Sequence, residues 1–141
     1  MIYPLISRKI TRVFIHCSAS DSPNHDDVKV MDRWHRQRGF DMVGYHHFIK
    51  KDGTIQNGRP IDRVPAAQAP HNTGTLAICL HGLDADEFTS AQASSLYCLC
   101  AAIDDVYDVT FHGHKEVANK TCPVIDYIGI LKLNNLGEMQ R

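Results

Sequence analysis

At 141 residues the chain has room for one ordinary domain and not for two. With 43% hydrophobic and 22% charged residues it lies far from the composition of disordered chains, so a packed core is expected without disulfides or a metal to hold it together. Fifteen Lys and Arg against sixteen Asp and Glu give a net charge of −1 with no basic run, which excludes a phosphate-backbone binder, and no apolar run reaches the ~18 residues of a membrane span.

The first ten residues lack the basic-then-apolar pattern of a signal peptide, so the chain is expected to be made in a reducing cytosol. Arg12 to Ser18 alternates as a strand, with Val13, Ile15 and Cys17 on one face and Phe14 and His16 on the other. Val28, Met31, Trp34 and His35 then recur at helical spacing, and Gly39 stands where that helix would stop. Val43 to Lys51 reads as a strand with Tyr45 and His47 on one face, and Asp52-Gly53 followed by Thr54, Ile55 and Gln56 signals a hairpin.

Residues 57–74 carry three prolines and two glycines without periodicity and read as a long loop. Leu76 to His81 is a further strand. Thr89 and Gln92 make a capping box for a long helix with the stripe Leu96, Leu99, Cys100, Ile103, Val106 and Tyr107. Val109 to Phe111 is a short strand, and Val124 to Leu133 a last helix. Mixed strands and helices without strict alternation predict a single α/β domain over residues 1–141, with a mixed central β-sheet flanked by helices.

Nine histidines are the compositional oddity, since imidazole is the commonest metal ligand. The segment His112 to Cys122 gathers imidazoles, a thiol and a lysine, and with His16 it offers the N and S donors that zinc prefers. His16, His114 and Cys122 would leave one tetrahedral corner open, as catalytic zinc sites do, and His112 is the rival to His114. Five cysteines, two of them two apart on a helix, argue against a disulfide framework; Cys17 and Cys79 read as buried, inert thiols.

Five blocks in order now carry a resemblance over nearly the whole chain: FIHCSAS at 14–20, WHRQRGF at 34–40, VGYHHFIKKDGTIQNGRP at 43–60, HNTGTLAICLHG at 71–82 and GHKEVANKTCP at 113–123. The sequence resembles the zinc-dependent N-acetylmuramoyl-L-alanine amidases, a family that includes short phage endolysins and the peptidoglycan recognition proteins. The resemblance implies one zinc ion on His16, His114 and Cys122, a catalytic Tyr45, and Lys120 beside the metal and the scissile carbonyl. It implies Asn72 as a residue lining the substrate groove, with His47 assigned to core or groove lining, and peptidoglycan as the partner of a monomer. The chain departs from the family at Gln68, where many members carry histidine, and at Ala77, where many carry glycine.

The expected activity is hydrolysis of the amide between N-acetylmuramic acid and L-alanine by a phage or prophage endolysin, made in the host cytoplasm and acting at the wall after release. Two other classes stand beside it: a binding module of the same fold that recognises peptidoglycan without cutting it, and a cysteine hydrolase using Cys122 or Cys17.

Overall fold

The computed structural model describes residues 1–141. Its strands are β1 (Arg12–Cys17), β2 (His47–Ile49), β3 (Ile55–Asn57), β4 (Thr75–Leu80) and β5 (Thr110–Gly113), and its α-helices are α1 (Val28–Gln37), α2 (Ser90–Tyr107) and α3 (Tyr127–Leu131). The strands form one sheet in the order β3-β2-β4-β1-β5. Only the β2–β3 hairpin is antiparallel; β2–β4, β4–β1 and β1–β5 are parallel. This is the mixed α/β sheet that the sequence predicts, and no helix is long and apolar enough to cross a membrane.

Alternation along the central strands decides which side chains meet which helices. Val13 and Ile15 of β1, with Leu76, Ile78 and Leu80 of β4, enter the main core beneath α2 and α3. The opposite face packs Phe48 and Cys79 against Val30 and Met31 of α1. Covered on both faces, β1 and β4 are buried almost throughout, as strands inside an α/β sheet are.

The expected Gly39 stop and Thr89–Gln92 capping box are both present, and further local bonds set the remaining ends of α1 and α2. Asp27 caps α1 by accepting from Lys29 N at 2.9 Å, and Gly39 follows it at φ +95°. Thr89 and Gln92 exchange both bonds of the capping box at 3.0 Å, and α2 stops where Asp108 turns left-handed at φ +52°.

Two elements are shorter than expected. The helix expected over Val124 to Leu133 covers only Tyr127–Leu131, because Val124 takes φ +68° and Lys132 φ +54°, neither of which continues a helix. The strand expected over Val43 to Lys51 is regular only at His47–Ile49. Its amino-terminal half still pairs, His46 N donating to Ala77 O at 2.9 Å, but the chain bends at Gly44 and His46. There the long loop crosses so closely that a Cβ on Gly44 would lie 2.0 Å from Ala66 O. The bend breaks the two-residue period: Tyr45 packs on the α1 face, while His47 turns to the α2 face and bonds Tyr3 Oη at 2.8 Å and Asn57 Oδ1 at 3.1 Å. Tyr45 and His47 do not share a face.

Candidate active site

α1 carries the chain from β1 to one side of the sheet, while α2 carries it from β4 across β1 to β5 over the opposite face. The carboxyl ends of β1 and β5 therefore open on a crevice of the kind in which α/β sheets bind ligands. His16 is the penultimate residue of β1, and His114 follows β5 directly, opening a short 3-10 turn over His114–Glu116. Glu116 steadies that turn: its carboxylate accepts from Gly113 N at 2.7 Å, from Tyr127 Oη and from His112 Nδ1 at 2.9 Å. Lys115 N donates to Cys122 O at 2.8 Å, tying the turn to the segment that brings in the cysteine.

These elements bring together His16, His114 and Cys122, whose donor atoms all lie within 4.8 Å of one another. Cys122 Sγ is 3.9 Å from His16 Nδ1, and the two imidazole rings lie 4.6 Å apart. A tetrahedral ion with zinc's bond lengths needs N–S edges of about 3.5 Å, so small adjustments would close this set around one ion. Two imidazoles and a thiol are the borderline-soft donors zinc takes, and three of them leave a corner open. The Cys17 amide donates to Cys122 Sγ at 3.2 Å, while the neighbouring Cys17 thiol and burial push the Cys122 thiol up, so the thiolate that a metal requires would form as the ion displaces the proton.

Burial, with His114 close by, holds His16 down at about 3, so at neutral pH its ring is uncharged and able to ligate. His114 is lowered in the same direction by burial and by the Lys120 ammonium beside it. Tyr45 lies with its ring 5.1 Å from that of His16, and burial followed by the neighbouring Cys79, Cys122 and Cys17 thiols raises its phenol well above the usual range. At working pH it keeps its proton.

His16, His114, Cys122, Tyr45, Lys120 and Asn72 all line one cleft of about 550 Å³. Asn72 closes its loop from within, its Oδ1 accepting from Ala67 N at 3.1 Å and Gln68 N at 2.9 Å. His47 stands apart, beside Tyr3 in a second hollow on the other side of the sheet, so it does not line the groove. His112 also stays out of the donor cluster, spanning Thr110 Oγ1 and Glu116. All five cysteines are unpaired, Cys17 and Cys79 being buried as expected.

The cleft holds three residues that the sequence reading did not single out for chemistry. His35, assigned to the packing stripe of α1, accepts from Gly44 N at 2.8 Å and sets its ring 5.2 Å from Tyr45. Arg38 caps α1 and lies over the Phe40 ring at 5.3 Å. Gln68, noted only as a departure, contacts His16 directly at 2.9 Å. Each is placed by the loop or by a helix end, and only Gln68 left a signal, as a departure just ahead of the block at 71–82.

Comparison with known proteins gives the family of the chain. The family model described as N-acetylmuramoyl-L-alanine amidase matches residues 6–124. The endolysin of Escherichia phage T7 is 35% identical over 122 residues, covering 81% of this chain and 80% of that protein. The endolysin of Klebsiella phage KP32 is 32% identical over 126 residues, covering 84% and 83%. Among solved structures, the N-acetylmuramoyl-L-alanine amidase LysC from Clostridium intestinale URNW superposes with a TM-score of 0.80 at 28% identity, over 89% of this chain and 85% of that one. On a family match spanning most of its length, with relatives above 30% identity, the chain belongs to the N-acetylmuramoyl-L-alanine amidase family and is an enzyme of that class.

Proposed function

We propose that the chain is a zinc-dependent endolysin that hydrolyses the amide joining the lactyl group of N-acetylmuramic acid to the L-alanine of the peptidoglycan stem. The observation that carries this reading is the convergence of His16, His114 and Cys122 within 4.8 Å in a cleft that also holds Tyr45 and Lys120. Hydrolysis adds water across the C–N bond: oxygen bonds to the carbonyl carbon, the carbonyl oxygen gains negative charge, and nitrogen must leave with a proton. His16, His114 and Cys122 would hold a zinc ion, which when bound would supply Lewis acidity and a nucleophile usable near neutral pH.

The remaining tasks fall to side chains of the cleft. The Lys120 ammonium, near enough to His114 to depress it, stabilises the developing oxyanion. Tyr45, kept as a neutral phenol, orients the attacking water or passes a proton toward the departing nitrogen. Asn72 holds the rim against which the stem peptide lies. The three metal donors of the site all belong to one chain, and the reading takes the enzyme as a monomer acting at the wall.

The test combines metal and product. Chelation should abolish activity and zinc should restore it, while digested peptidoglycan should gain free alanine amino groups and no reducing sugar ends. New reducing ends, or activity that ignores the chelator and dies with a thiol-alkylating reagent, would overturn the proposal.

A further inference from the structure

Gln68 is 1% exposed in the wall of the cleft, and every polar atom of its side chain is used. Its Nε2 donates to Thr75 Oγ1 at 2.8 Å and to His71 O at 3.2 Å, and the Thr75 hydroxyl donates onward to Asn72 O at 2.8 Å. Flipping the amide would set its oxygen against the His71 carbonyl, so the orientation is fixed. Oε1 is thereby aimed at His16 Nε2, 2.9 Å away, and an oxygen that only accepts demands a proton on that nitrogen. A neutral imidazole protonated at Nε2 has its free lone pair on Nδ1, the atom that faces Cys122 Sγ.

We infer that Gln68 is a positioning residue for metal capture: it selects the tautomer and ring orientation of His16, so that Nδ1 and not Nε2 is offered to the ion. The inference rests on the zinc reading above. The partner of a metal-bound histidine is commonly a carboxylate or a backbone carbonyl; here a neutral amide does the work without adding charge to the site. Asn72, which receives the amides of Ala67 and Gln68, holds the backbone from which this amide reaches out.

The experiment uses the full chain, stripped of metal, with ring-nitrogen NMR to read the His16 tautomer and competition against a chromophoric chelator to read zinc affinity. The wild-type ring should carry its proton on Nε2. Gln68→Leu should lose that preference and bind zinc ~10- to 100-fold more weakly. If Gln68→Leu does not fold, Thr75→Val carries the test by removing the hydroxyl that orients the amide, with a mixed tautomer and weakened binding expected. A folded Gln68→Leu or Thr75→Val protein with wild-type tautomer and wild-type zinc affinity overturns the role of Gln68 and leaves the zinc reading intact. A wild-type chain with no zinc affinity overturns both.

Discussion

Tyr45 is the residue whose contribution is most cleanly separable from the metal. Its ring packs between the imidazoles of His16 and His35, at 5.1 and 5.2 Å, and that packing survives in Tyr45→Phe. Only the hydroxyl is lost, the group to which the proposed mechanism gives the water-orienting or proton-passing role. The variant should therefore retain zinc at wild-type stoichiometry while kcat on muropeptide falls by ~10²- to 10⁴-fold, the usual range for general acid–base groups. Metal analysis beside steady-state kinetics checks this; a variant near wild-type kcat would remove Tyr45 from the chemistry. Legibility at this scale followed locality. His16, Tyr45, His114, Lys120 and Cys122 each sit inside a compact sequence block, whereas His47 was mis-sided by one bend in the backbone and Gln68 acquires meaning only from a residue 52 positions away.

The Gly39 stop of α1 and the Thr89–Gln92 capping box of α2 fall where expected because capping is a short-range hydrogen-bonding problem. Residues 57–74 could be read only as a loop, since what orders them is tertiary. The buried Arg59 donates to Val43 O at 3.0 Å, Val64 O at 3.1 Å and Asp41 Oδ1 at 3.1 Å, and Ala66 N donates to Gly44 O at 3.2 Å. That last contact makes Gly44 a requirement of the site as well as of the fold. In Gly44→Ala the new methyl would meet the Ala66 carbonyl at 2.0 Å and the loop must lift. Because the loop carries Gln68 and Asn72, the variant should lose about 1 to 3 kcal/mol of stability and show a raised KM. Denaturant titration with steady-state kinetics checks the pair of effects; unchanged values would mean that the loop's position does not govern the cleft.

On the scale of the whole molecule, the excess of histidine is mostly an excess of buried, uncharged histidine, and that sets how the fold answers acid. Burial holds His35 down at about 4, His46 at about 3 and His47 at about 4, none of them among the metal donors. Two of the three also accept a backbone amide on Nδ1, His35 from Gly44 N at 2.8 Å and His46 from Ala77 N at 3.1 Å, a bond that a protonated ring cannot make. In the unfolded chain all three titrate near 6.5, so between that value and about 4 the unfolded state binds more protons than the native one. Their contribution is intact above pH 6.5 and is lost as pH falls toward the native values. One unit below 6.5 each should have forfeited about 1.4 kcal/mol, or about 4 kcal/mol for the three, against a typical total stability of about 5 to 15 kcal/mol. Urea unfolding of the metal-free protein at pH 7.5 and 5.5 should show at least that loss. His47→Gln, which can still accept from Tyr3 and donate to Asn57, should return about 1.4 kcal/mol of it. A stability that is flat between the two pH values would mean that these rings take up protons inside the fold, and the neutral core assigned to them would be wrong.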